Sequence, residues 1–176
     1  MKVTREKILK ALPGYEDSWQ LVREKQFVPD IINEIITAHK LFCRYYDCFS
    51  SFFMVNDVDT LADNLYFFCE ENIRYTEEPK ERQTTALPTG ILIRGYGDCK
   101  HYASFCGGVI SSLNRVCGAG IEWYYYFAGY RGNDGSIPEE PYHVFVAIKT
   151  GDSEIWIDPT PGAGTTEPVL LIKKTV

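Results

Sequence analysis

The residue types that carry covalent and acid-base chemistry are sparse in this 176-residue sequence, which has six cysteines and only three histidines. Among the cysteines, Cys99 is placed unlike the others. In Gly97-Asp98-Cys99-Lys100-His101-Tyr102-Ala103 a glycine-rich stretch enters a helix, with Asp98 suited to the N-cap and Cys99 in the first turn. The positive end of the helix dipole and the unpaired backbone N–H groups there favour a thiolate over a thiol, and the same groups can hold an oxyanion. Cys99, Ala103, Cys106 and Ile110 recur at helical spacing, so the thiol points along the packed face of its helix. Taken alone, Cys99 reads first as one more small core residue.

A nucleophilic thiol needs a base. His101 lies two positions further along the helix, projects to a different side and is expected to face solvent. His39 falls within the apolar face of an earlier helix and reads as a core histidine with its hydrogen bonds satisfied. His143 is the better candidate. In Pro141-Tyr142-His143-Val144-Phe145-Val146-Ala147-Ile148, alternation puts His143, Phe145 and Ala147 on one face of a strand, and both faces look buried. The next strand, Glu154 to Asp158, ends where Pro159 stops further pairing. Asp158 by itself reads as a strand-end turn residue. If the Thr150-Gly151-Asp152-Ser153 turn closes with Thr150 opposite Ser153, however, Asp158 falls opposite Phe145 and diagonal to His143. Side chains bridge that diagonal of about 7–8 Å. Cys99, His143 and Asp158 then make a nucleophile, its base and the carboxylate that orients the base, an arrangement suited to acyl transfer.

The elements that must hold these residues are helical first and extended second. Helices are expected near Thr4 to Leu12, Glu16 to Gln26 and from Pro29 onward, the last with Ile31, Ile35, Ala38, Phe42 and Tyr45 on one face, widened by Ile32, Ile36 and His39. Asn56 or Asp57 caps another helix that runs to about Asn72. Tyr75 to Gly97, rich in Pro and Gly, reads as a long loop. A helix from Asp98 to about Arg115 contains Gly107-Gly108, which signals close backbone approach to a sheet. Strands are expected over Ile121 to Tyr130, Tyr142 to Lys149 and Glu154 to Asp158. Helices followed by an antiparallel sheet mean α+β. The loop from Thr76 to Tyr96 and the segment Gly129 to Pro141 are placed to wall a cleft.

Composition narrows the rest. The chain is 45% hydrophobic and 24% charged, with 12 Tyr and 10 Phe, enough to close one core at this length. The net charge of -6, with scattered Lys and Arg, argues against a nucleic-acid partner. Without a signal-like apolar start or a membrane-length apolar run, the expectation is a cytoplasmic protein with no membrane association. Cys43, Cys48, Cys69, Cys106 and Cys117 then read as reduced and mostly buried. No Cys-x-x-Cys pair exists and histidines are few, so neither a metal site nor a cofactor is expected.

The order Cys, His, Asp, carried by Gly97-Asp98-Cys99, Tyr142-His143-Val144-Phe145-Val146 and Trp156-Ile157-Asp158-Pro159-Thr160, resembles the transglutaminase-like superfamily of papain-type enzymes. The resemblance covers about Asp57 to Pro161, and the first 55 residues match no family pattern. It implies a papain/transglutaminase-like α+β fold, with N-terminal helices and the nucleophile-bearing helix packed on an antiparallel sheet. Residues 1–176 would form one domain: a helical extension over 1–55, the core over 56–161, and a tail or strand over 162–176. It also implies an oxyanion-binding side chain upstream of the cysteine, for which Gln83 and Tyr96 are the candidates. The implied chemistry is hydrolysis of a peptide, isopeptide or carboxamide bond in a peptide or protein substrate. An amine acceptor would make a transglutaminase instead, and a peptide-binding module would keep the cleft without catalysis. An arylamine-type acyltransferase would need coenzyme A, for which no phosphate-binding motif is present. Oligomeric state is left open.

Overall fold

The structure, a computed structural model, describes residues 2–12, 28–79, 83–164 and 166–176. The helix expected over Glu16 to Gln26 lies outside the described residues. Helix α1 (Arg5–Ala11) starts where the Thr4 hydroxyl accepts the Lys7 N–H at 3.3 Å. Its Arg5 guanidinium donates to the carbonyls of Leu92 and Ile93, fastening this helix to a later one. Helix α2 (Val28–Phe42) buries Ile32 and Ile35, with Ile31, Ile36, Ala38 and His39 half-buried. Tyr45 does not continue that stripe as expected. The chain tightens into a 3-10 helix over Cys43–Tyr46, which advances the buried position by one residue. Tyr46 is therefore inside, with its hydroxyl on the Ser104 carbonyl, and Tyr45 is 46% exposed.

Helix α3 (Val58–Asn72) is capped by Asp57, whose carboxylate accepts the Thr60 N–H at 2.7 Å. The segment expected as an uninterrupted loop from Tyr75 to Gly97 instead holds regular structure. Helix α4 (Pro88–Arg94) lies within it, and β1 (Arg74–Tyr75) pairs in parallel with β2 (Tyr96–Gly97). Pro88 at the first helical turn and Gly95 at φ 66° are the start and stop signals of α4, and Ile91 and Leu92 bury its inner face. Pro88 and Gly95, which suggested turns, are the boundaries of a helix.

Helix α5 (Cys99–Cys117) packs on an antiparallel sheet of β3 (Trp123–Tyr130), β4 (His143–Thr150), β5 (Ser153–Ile157) and β6 (Pro168–Lys174), in the order β5-β4-β3-β6. The fold is α+β. Strand β6 joins the three expected strands and pairs along β3. The helix-facing side of the sheet, with Tyr125, Phe127, Val144 and Val146, merges with Ala103, Cys106 and Ile110 into the main core. A Cβ at Gly107 would lie 2.6 Å from the Trp123 ring and the Tyr125 hydroxyl, and one at Gly108 would enter the Tyr46 ring, so α5 sits where only glycine fits. Tyr124, Tyr126, Ala128, Phe145 and Ala147 form a second buried cluster on the opposite face. Burial on both faces agrees with the alternation in β4.

Strands β4 and β5 pair with Thr150 opposite Ser153 and Val146 opposite Ile157, the register that carries Asp158 toward Phe145. All six cysteines are free, but not all are inside: Cys69 and Cys106 are buried, whereas Cys48 and Cys117 are exposed. Cys117 closes the last turn of α5 before the left-handed Gly118, where the helix has left the core. No helix among the described residues is long and apolar enough to cross a membrane.

Candidate active site

Cys99 opens α5, with Asp98 as the N-cap, and its partly buried side chain packs against the main core. The turn before it is built closely. A Cβ at Gly97 would lie 2.6 Å from the His101 Cβ, so glycine makes room for the imidazole to fold back over the helix start. His101 is therefore 1% exposed, with Nδ1 2.8 Å from Asp98 Oδ1, and does not face solvent as helical spacing suggested. The Lys100 ammonium is buried too, paired with the Asp98 carboxylate and with Glu78 Oε2 at 3.1 Å. Glu78 in turn accepts the backbone N–H and hydroxyl of Thr84. Burial pushes the Asp98 carboxyl up, but the His101 and Lys100 contacts outweigh it and hold the group well below its ordinary range. The loop after β1 is thus pinned by charge to the turn that carries the thiol.

His143 begins β4, and Asp158 follows β5 directly. His143 Nε2 lies 2.6 Å from Asp158 Oδ2, and Asp158 Oδ1 accepts the Thr160 N–H at 3.2 Å. Cys99 and the imidazole border the same two cavities, and with Nε2 on Asp158 it is Nδ1 that is left for the thiol. Burial lowers the His143 pKa, but the Asp158 hydrogen bond and the neighbouring Asp158 and Cys99 groups more than compensate and raise it to about 9. The rings of Tyr130 and Phe145, with centroids 5.6 and 5.8 Å away, flank the imidazole and limit its tilt. The structure brings together the three side chains that the sequence singled out. The other histidine, His39, holds Tyr125 Oη at 2.9 Å and Ser111 Oγ at 3.0 Å, and burial with the charges of Arg115 and Lys40 lowers its pKa to about 4. It is a satisfied core histidine.

Two cavities meet at Cys99, His143 and Tyr142. One, of about 210 Å³, runs beneath α2 and over Phe127 and Val144. The other, of about 300 Å³, is lined by Tyr75, Glu77, Tyr130 and the turn after Asp158. The segments expected as cleft walls contribute Glu77, Gln83, Tyr130 and Pro141. Of the two oxyanion candidates, the Gln83 side chain lines the first cavity beside Cys99, but its amide nitrogen donates to the carbonyls of Glu78 and Pro79, both at 3.0 Å. Both amide protons are thereby engaged. Tyr96 is not at the site: its ring lies against the guanidinium groups of Arg74 and Arg94, and it lines neither cavity. The donors left next to Cys99 are backbone N–H groups at the start of α5.

Two contributors escaped sequence reasoning. Lys100 and Glu78 carry no local signal of pairing, because their contact spans a loop. The α2 stripe was legible as apolar, yet Val28 and Ile31 spend part of it on the cavity rather than on the core. Among the described residues, no group of three or more His, Cys, Asp or Glu side chains is arranged to hold a metal ion.

No protein-family model and no curated protein matches the chain. Solved structures do. The chain is similar in fold to "a Putative Cysteine Protease from Cytophaga hutchinsonii", with TM-score 0.50 and 13% identity over 85% of this chain. It is also similar to "a putative protease from Parabacteroides distasonis", with TM-score 0.55 and 11% identity over 76% of this chain. It shares the fold of cysteine-protease-type proteins. The chain spans 44% and 26% of the lengths of those two.

Proposed function

We propose that the chain is a cysteine-nucleophile enzyme of the transglutaminase-like superfamily that hydrolyses a peptide, isopeptide or carboxamide bond, with Cys99, His143 and Asp158 as its catalytic triad. The observation that carries this reading is the imidazole of His143, 2.6 Å from Asp158 and beside Cys99 where the two cavities meet. A pKa near 9 keeps that imidazole protonated at neutral pH, ready to act first as an acid.

The Cys99 thiolate adds to the substrate carbonyl, and the oxyanion takes hydrogen bonds from N–H groups at the start of α5. The His143 imidazolium gives its proton to the leaving nitrogen as the C–N bond breaks, which leaves a thioester on Cys99 and a neutral imidazole. That imidazole then takes a proton from water as the water attacks the thioester. The acid product departs, and the sulfur leaves as the thiolate, beside a reprotonated imidazole. Asp158 holds the ring in one orientation and stabilises its charge throughout. A binding module would have no need of all three groups at one site, and the names of the two fold neighbours agree with hydrolysis.

Site-resolved alkylation with iodoacetamide tests the reading. Cys48 and Cys117 are exposed and Cys99 is only partly so, and access alone would make the exposed thiols react first. A working pair reverses that order at neutral pH and loses the reversal in His143→Ala. Alkylation that follows exposure, unchanged in the variant, would exclude the triad and favour the binding module.

A further inference from the structure

The smaller cavity under α2 differs in chemistry from the rest of the cleft. Val28, Ile31, Ile32 and Ile35 form its roof, and Phe127 and Val144 lie on the side of the sheet. Besides Cys99 and His143, three polar residues border it, and each has its donor engaged: the Tyr142 hydroxyl donates to the Tyr130 carbonyl at 3.3 Å. The Lys100 ammonium is paired with Asp98 and Glu78, and the Gln83 amide nitrogen is bound to two carbonyls. The volume of about 210 Å³ exceeds the roughly 150 Å³ at which an apolar cavity accepts a benzene-sized guest. An aliphatic or phenyl side chain fits; among the described residues that line it, apart from the catalytic pair, no charge is left unpaired to meet a charged one.

The position of the cavity assigns it to one half of the substrate. The second cavity, with Tyr130 and the turn after Asp158, lies on the side of the histidine-aspartate pair, where the leaving nitrogen must be to receive the imidazole proton. Both cavities touch Cys99 and His143, but the first extends from them along Lys100 at the helix start and Gln83, away from the turn after Asp158 and on the nucleophile's side. We infer that the α2 cavity holds an apolar side chain of leucine to phenylalanine size on the acyl half of the substrate, within the two residues before the cleaved bond. This rests on Cys99 being the nucleophile. It gives the N-terminal helix α2 a role in specificity: Ile31, half-buried on its roof, is a residue that sets what enters.

Dipeptidyl chloromethyl ketones test this directly, because the Cys99 sulfur displaces chloride and the reagent carries only the acyl half. Acetyl-X-Gly and acetyl-Gly-X reagents, with X as Leu, Phe, Gly, Asp or Lys, are compared by the rate of Cys99 modification, each divided by the iodoacetamide rate of the same protein. Leu or Phe at one of the two positions should react at least about 10-fold faster than Gly, Asp or Lys. In Ile31→Trp, and independently in Val28→Trp, that ratio should fall toward one, with thermal melts checking that each variant is folded. Fast iodoacetamide reaction without apolar preference at either position, or a preference unchanged in both folded variants, would overturn the cavity assignment and leave the triad standing. Slow, His143-independent reaction with iodoacetamide would instead overturn the triad.

Discussion

Replacement of Asp158 by Ala should lower the His143 pKa by more than about one pH unit. His143 stands near 9, about 2.5 above its ordinary 6.5, although burial pulls it down. The influences that raise it must therefore exceed 2.5 pH units together. They come from Asp158 and Cys99, and Asp158 supplies the larger share of both the hydrogen bonding and the charge. At least half the rise leaves with Asp158, which is on the order of 2 kcal/mol. The expected midpoint in Asp158→Ala lies below about 8. Imidazole nitrogen NMR across pH follows it directly, and the low midpoint of His39, near 4, keeps that ring's signals apart. A His143 midpoint still near 9 in the variant would refute the reasoning, because Cys99 alone would then hold the charge. A folded variant with the lowered midpoint should also lose preferential alkylation of Cys99 above neutral pH.

Stability should peak near pH 6.5. His143, raised to about 9, contributes stability that is fully present below its unfolded 6.5 and lost as pH rises through 9; His39, lowered to about 4, costs stability as pH falls from 6.5 through 4. Each flank is worth on the order of 3 kcal/mol, visible as lower urea midpoints at pH 4.5 and 9 than at 6.5, and a flat profile would contradict both assignments. Lys100→Met should destabilise the fold by about 3 kcal/mol or more, because it leaves the buried Asp98 and the half-buried Glu78 without their shared cation. Adding Glu78→Gln should restore part of that loss in urea titrations; no restoration would mean that packing of the lysine stem, not charge, was lost.

What the sequence determined alone was what neighbouring residues settle among themselves. A two-residue turn and the period of two along a strand were enough to put Thr150 opposite Ser153, and so to bring Asp158 to the face of His143. Asp98 ahead of an apolar helical stripe was enough to put Cys99 in a first turn. Even local signals admitted a wrong reading where one residue type has two uses: Pro88 and Gly95 looked like turn residues, and they bound a helix whose inner face is Ile91 and Leu92. The tertiary structure decided everything that depends on distant segments. His101 is buried because Gly97 leaves space for it, Tyr96 turns to Arg74 and Arg94 rather than to Cys99, and Lys100 finds Glu78 across a loop. The roof of the cavity comes from α2, nearly 70 residues before the thiol. Hydrophobic periodicity says that such a face is covered, but burial is non-directional, and only packing selects which surface, or which substrate, covers it.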